Sequence, residues 1–508
     1  MNRRALVLAV VLFGVLRPGR ASAEERRYAL VIGFNGAPVA EGTEGASPLR
    51  FADDDALAFY ELQREMGSQT ILLVSPDADT RRRYPQSVER AEAPTLAVLD
   101  RVMARLQSSL LADTRAGRST VLFIFYSGHG VLGSDGQVAL TLADGMLPRR
   151  LLYERVLDHA PADVVHLFVD ACHAETIVNP RDGNARSVSL SPHDVAAFLS
   201  QNTLGRYPNV GVGIASSSSD TANEWDFYQS GVFTHELISA LRGAADVNGD
   251  RRVEYSELGA FLAAANREVQ DPRARLRAIV RAPASAPRAV MADLSRAEEA
   301  ALLTGITAAP ESFTIEDARG NRLVDGRPEM GFAMAVSLPA NRRLFVRRGD
   351  KEAELTLRSG RDWEYASLVF RARPMRERGA VESALRAGLF LTEFGPAYYR
   401  GYVDREDAVA VPIAPARDVI TLSRGDVPPV RRPSFARSAL GGAGVALLAS
   451  SAVFAGLAVG AWRDNQGAVE RASADAGNRF RVDMTWSAGF LLSGVVCGAA
   501  ALLVGNHP

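Results

Sequence analysis

The sequence predicts an α/β fold: a mostly parallel sheet with helices on both faces, then a small β-rich, sandwich-like domain, then a C-terminal hairpin of two transmembrane helices. Three observations predict it. Over residues 24–270, short continuous apolar runs alternate with amphipathic stretches, the pattern of strands buried on both faces and the helices that connect them. Over 306–425 the texture changes to short alternating strands broken by Gly, Asp and Asn turns. Residues 438–461 and 485–504 are apolar runs, each about long enough to cross a bilayer as a helix.

The elements follow in order. "YALVIGF", "TILLVS", "TVLFIFY", "VVHLFVDA" and "VGVGIASS" read as the buried strands. "PLRFADDDALAFYELQREMG", "TLAVLDRVMARLQSSLL" and "VFTHELISALRG" carry apolar residues at helical spacing, and two of them end at a glycine, a common helix stop. "RRLLYERVLDHA" supplies the crossover that joins two parallel strands. Residues 271–305, rich in Arg, Ala and Pro, read as a linker with some helix.

A chain of 508 residues exceeds what one core usually serves, and 47% hydrophobic with 23% charged residues is the composition of a folded protein. The net charge of −1 gives no basic field, so no nucleic-acid partner is expected. Lys351 is the single lysine among 58 basic residues, so any one arginine is a weak signal.

Residues 1–23 have a basic start, an apolar stretch from Ala5 to Leu16 and an Ala21-Ser22-Ala23 ending, the plan of a secretory signal peptide; an uncleaved anchor is the alternative. The Arg3-Arg4 pair is compatible with a twin-arginine route. With the C-terminal hairpin, this predicts an exported, membrane-anchored protein whose large N-terminal part lies on the extracytoplasmic, periplasmic side. The two cysteines are Cys172 and Cys497, and Cys497 falls inside the second apolar run. A disulfide between them is not expected, which leaves Cys172 a free thiol in an oxidising compartment, where a reactive role explains it better than a bridge.

Two stretches share one design. "VLFIFYSGHGVLG" ends a strand on His129 between Gly128 and Gly130; "VVHLFVDACHAE" ends the next on Cys172, 43 residues later. In an open parallel sheet, side chains beyond the carboxyl ends of neighbouring strands converge on a crevice, so this His and this Cys are placed to meet. Asp170, two residues before Cys172, faces the same side of its strand.

"YSGHG" followed by "VDACHAE" resembles the caspase-like cysteine peptidases, most closely their bacterial and metacaspase-like branch; "LRFADDDA", "ASSSSDTANEW" and "GVFTHELISALRG" extend the resemblance over roughly residues 27–268. The resemblance implies that the α/β part is a caspase-like catalytic domain and the chain a cysteine-type endopeptidase acting on a peptide or protein. Cys172 would be the nucleophile and His129 the proton carrier, with the backbone N–H groups of Gly130 and Cys172 as oxyanion hole. It places Asp170 and Asp55 in the first specificity pocket, where two carboxylates select Arg or Lys before the cut, with Ser217 and Asp220 lining it. Arg50 in the same segment keeps open a preference for Asp, as in animal caspases. A catalytically silent scaffold or binding protein of the cell envelope is the rival function. The dyad needs no cofactor.

Other features carry bland readings. Asp53 to Asp55 also suit a helix start, where acids favour the dipole. His166 reads as a core residue, His173 as pointing away from the site, and His159 and His235 as helix residues without partners. "DVNGDRRVEYSEL" places Asp246, Asn248, Asp250, Glu254 and Glu257 at positions 1, 3, 5, 9 and 12 of an EF-hand-type Ca2+ loop, with Arg251 where Gly is usual. A capped turn before a helix is the alternative. The oligomeric state is left open.

Overall fold

The computed structural model describes residues 24–37, 47–132, 137–172, 174, 203–216, 224–225, 230–269, 276–296, 299–307, 312–359, 361–372 and 388–409. All lie within one compact unit, Met1–Pro412. The expected signal peptide, both apolar C-terminal runs, and Ser217, Asp220 and His173 lie outside the described residues. Among the described residues no helix is long and apolar enough to cross a membrane.

The central sheet has six strands: β1 (Glu25–Phe34), β2 (Gln69–Val74), β3 (Ser119–Gly128), β4 (Val164–Asp170), β5 (Val210–Ser216) and β6 (Arg277–Arg281). Their order is β6-β5-β4-β3-β1-β2. The first five run parallel, as the unbroken apolar runs require; β6 pairs antiparallel with β5, from Arg277 opposite Ser216 to Arg281 opposite Val212. The last strand therefore comes from the stretch read as a linker, and the α/β unit extends past residue 270.

Alternation along each strand feeds two cores. Tyr28, Leu30 and Ile32, with Leu122, Ile124, Val165, Leu167 and Val169, face α2 (Leu96–Arg115), which answers with Leu99, Val102, Met103, Leu106 and Leu110. Ala29, Val31, Phe123, Phe125 and Phe168 face the opposite layer, made by α1 (Ala52–Glu65), α3 (Val232–Ser239) and α4 (Tyr255–Ala265). Phe59 of α1 stacks on Phe125 with ring centres 4.4 Å apart, which fixes that helix across the sheet. At the strand's end Gly33 is pressed so closely on Ala52 that a Cβ would meet its carbonyl at 2.4 Å, so α1 begins right at the carboxyl edge of the sheet.

Beyond residue 299 the chain is β-rich, as expected. A three-stranded sheet is centred on β7 (Ala300–Thr307), and a five-stranded sheet contains β8 (Phe313–Asp317), β9 (Arg322–Gly326) and the strand Arg343–Arg348. The apolar residues of the two sheets, among them Phe313, Ile315, Val324, Val336 and Leu338, belong to the same buried cluster as α1, α3 and α4. The region thus packs as a further layer on those helices and shares their core. Helix Pro396–Val409 closes against α4, where Tyr399 Oη bonds Ser256 Oγ at 2.9 Å.

Candidate active site

β3 and β4 lie side by side in parallel register, Val121 opposite Val164 through Ser127 opposite Asp170, a constant offset of 43 residues. The offset equals the spacing of His129 and Cys172, so the same register carried two residues further puts these two at one level beyond the sheet edge. The contact there is tight: a Cβ on Gly130 would stand 2.0 Å from the Cys172 carbonyl oxygen. Only glycine lets the histidine loop lie this close to the cysteine turn.

The backbone of His129 is pinned from two sides. Its carbonyl accepts from Tyr126 Oη at 3.0 Å and from the Thr141 N–H at 3.1 Å, while Gly130–Leu132 pairs with Val138–Leu142. The ring bonds the Ser47 backbone carbonyl, and Nε2 is buried with no hydrogen-bond partner. A carbonyl accepts only, so the ring nitrogen facing it carries the proton and Nε2 keeps its lone pair. Burial holds the imidazole below its ordinary value of 6.5, against the opposing Ser47 bond, so it is neutral at physiological pH. Cys172 is buried and in no disulfide, in a turn closed by the Ala174 N–H on the Ala171 carbonyl at 3.4 Å.

The acidic triplet at the start of α1 divides three ways. Asp53 holds Asn35 Nδ2 at 2.6 Å and the Asp77 N–H at 2.8 Å; Asp54 pairs with Arg83 and accepts from Thr80 Oγ1 at 2.9 Å. Asp55, 2% exposed, turns toward the end of β3 and β4. Its carboxylate accepts from Ser127 Oγ at 2.8 Å, Ser230 Oγ at 2.5 Å and the Gly231 N–H at 2.9 Å. Half-buried Asp170 accepts from Thr234 Oγ1 at 2.7 Å and from its N–H at 3.2 Å, at the N-terminus of α3. The two carboxylates converge on Gly231, where a Cβ would meet Asp170 Oδ2 at 2.4 Å and Asp55 Oδ2 at 3.0 Å.

Burial pushes both carboxyls up; Asp55 is raised further by the charge of Asp170, against its hydroxyl and N–H donors. Arg50, the residue that kept an acidic preference open, is exposed and lies over the Phe51 ring.

The remaining predicted residues fall elsewhere. His166 is fully buried and bonds Tyr255 Oη through Nδ1 at 2.7 Å, the core role expected of it. His235, expected to lack a partner, bonds Asp325 Oδ2 of the β-rich region at 2.7 Å, a contact across 90 residues that helix periodicity cannot reveal. In the 246–257 loop, Arg251 adopts φ 64, the left-handed turn for which Gly is usual. The carboxylate oxygens hold the loop's own backbone: Asp246 accepts from the Gly249 and Arg251 N–H, Asp250 from Arg252, and Glu257 from Val247 and Glu254. Glu254 and Glu257 form a capping box on α4, and among the described residues no three His, Cys, Asp or Glu side chains are grouped to hold a metal. These bonds are those of a capped turn, which an EF-hand-type loop contains as well.

Sequence reasoning missed the groups that hold the acids: Ser127, Ser230, Gly231 and Thr234. Ser127, opposite Asp170 in the ladder and two residues before His129, was the one with a readable signal.

Comparison with known proteins bears on the fold and the family. No curated protein matches the chain. A solved structure of a protein from Geobacter sulfurreducens is similar at 20% identity, covering 50% of this chain and 92% of that one, with a TM-score of 0.30, too low to carry an argument. The family Peptidase C14, caspase domain, matches residues 26–288, more than half of the chain and the whole of the six-stranded sheet with its His and Cys loops but for one residue at its start. With that match and this α/β architecture, the chain belongs to the Peptidase C14 caspase-domain family.

Proposed function

We propose that the protein is a cysteine endopeptidase that cleaves peptide bonds after Arg or Lys through an acyl-enzyme on Cys172. The observation that carries the reading is the closeness of Gly130 to the Cys172 carbonyl at the end of two strands in 43-residue register, with an unpartnered imidazole nitrogen in the same loop. An unperturbed thiol is only a few per cent thiolate at neutral pH, so attack needs a base. His129 Nε2 takes the thiol proton as sulfur attacks the scissile carbonyl, and the backbone N–H groups of Gly130 and Cys172 receive the oxyanion. The imidazolium then gives its proton to the leaving amine. Water, deprotonated by His129, attacks the thioester; the acid leaves and Cys172 regains its proton.

The Asp55–Asp170 pair supports a basic residue before the cut. A guanidinium between them would offset the charge of both carboxylates and donate a charge-assisted hydrogen bond to each. An acidic side chain there would face two carboxylates, which is a repulsive arrangement. On sequence alone the enzyme is further proposed to be exported and anchored by residues 438–461 and 485–504, acting on the extracytoplasmic side; protease accessibility of intact cells reads this directly.

The test is turnover of an Arg-ending fluorogenic peptide by the full chain. Cys172→Ala is expected to abolish it. Turnover that survives in that variant overturns the assignment, and a wild-type chain that turns over no peptide favours the scaffold reading.

A further inference from the structure

The β-rich region meets the α/β unit at the helix that holds the pocket. α3 presents Thr234 to Asp170 and is preceded by Gly231, whose N–H bonds Asp55. The next residue along, His235, is buried and bonds Asp325 of β9. There Asp325 gathers His235 Nε2 at 2.7 Å, Arg322 Nε at 2.5 Å and NH2 at 2.6 Å, and Thr314 Oγ1 at 2.8 Å. Its own N–H donates to Ser239 Oγ, one helix turn beyond His235, at 3.1 Å. Asp325 is therefore a buried carboxylate fully occupied by donors, two of its partners lying on α3.

The helix that carries Asp55 is held by the same region. Arg342 bonds Glu61 Oε2 at 2.6 Å, and Arg242, following α3, bonds Glu65 Oε2 at 2.7 Å and the Ser337 carbonyl at 3.3 Å. Both helices that deliver groups to the two-carboxylate pocket are thus tied, one to three turns away from it, to the β-rich layer. Where a buried carboxylate has both oxygens occupied, as Asp325 has, the cluster around it is rigid, and removing a partner leaves buried polar atoms unpaired.

We propose that the β-rich region sets the geometry of the Asp55–Asp170 pocket through the His235–Asp325–Arg322 cluster, so that His235 and Asp325 are positioning residues for substrate selection. The proposal rests on the reading of that pair as a substrate pocket. It assigns the β-rich region a part in specificity although none of its described residues bonds either acid.

Hydrogen exchange of the full chain tests it without relying on turnover. His235→Leu removes the bond to Asp325, His235→Gln retains an N–H donor, and Asp325→Asn keeps the shape if the leucine variant does not fold. In His235→Leu, or in Asp325→Asn where it serves, the Gly231 and Thr234 amides are expected to exchange about tenfold faster or more, the usual weight of a bond to a charged group. The Leu122 and Ile124 amides of β3 should keep their wild-type rates. KM for an Arg-ending peptide should rise about tenfold with kcat within about twofold, and His235→Gln should restore both readouts. Unchanged exchange at Gly231 and Thr234 in the folded variants overturns the proposal, as does exchange that rises equally in β3. A wild-type chain that turns over no peptide defeats the peptidase reading, while exchange still decides this one.

Discussion

Gly130→Ala offers a steric test of the dyad's geometry. The added methyl would stand 2.0 Å from the Cys172 carbonyl oxygen, whereas real Cβ atoms essentially never come within 3.0 Å of another heavy atom. The neighbour is backbone, so no side-chain rotation relieves the contact; the cysteine turn and the histidine loop must separate by about 1 Å. Misplacing reacting groups by that distance costs on the order of 10²-fold in rate, or about 2.7 kcal/mol of activation free energy. The assay is kcat/KM for an Arg-ending fluorogenic peptide, read beside the thermal midpoint. Because the loop lies at the sheet's edge, the midpoint should fall little while kcat/KM falls about a hundredfold. Activity within about threefold of wild type would refute the packing of Gly130 on Cys172 as a catalytic constraint.

Three more outcomes are expected. Both pocket acids are raised by burial, and Asp55 also by the charge of Asp170, so a guanidinium binds best once they are ionised; KM for an Arg peptide should fall as pH rises through the pair's range, and Asp55→Asn should flatten that profile. Burial, with Arg27 nearby, depresses His166 to about 3, so the folded chain binds fewer protons than the unfolded one between pH 3 and 6.5. The stability His166 contributes is present above its unfolded value and is lost as pH falls from 6.5 toward 3, by about 1.4 kcal/mol per unit at most, and the difference in thermal midpoint between wild type and His166→Phe across pH 5–7 measures it. Since Asp246 and Glu257 already hold backbone N–H groups with both oxygens, millimolar calcium should leave the thermal midpoint unchanged; a saturable rise would show that these oxygens turn to the ion.

What was legible in the sequence was local. Apolar runs gave the five parallel strands because strands covered on both faces need no polar alternation, and "SGHG" and "DAC" marked the strand ends because the chain must turn there. The spacing of 43 was on the page from the start, but only the ladder shows that it is also the register of β3 against β4. What stayed hidden was pairing across distance. "RAIVR" carries an arginine at each end and sits among Ala and Pro, so nothing local tells that it completes the sheet beside β5. His235 gives no sign of Asp325, which lies in another layer. In the 246–257 loop the spacing of acids fits both an EF-hand-type loop and a capped turn, and spacing alone does not say whether an oxygen faces a cation or its own backbone. The boundary near 270 failed for a related reason: the core of α1, α3 and α4 runs on into the β-rich layer, and a shared core leaves no seam in composition.

The central claim is that Cys172 is an activated thiol beside a pocket for a basic side chain. Mass spectrometry of the full chain after brief exposure to an arginyl peptide chloromethyl ketone tests it most directly. One adduct is expected, on Cys172, lost in His129→Ala and much reduced when the arginine of the probe is replaced by aspartate. An unmodified Cys172, or equal labelling by the aspartyl probe, would contradict it.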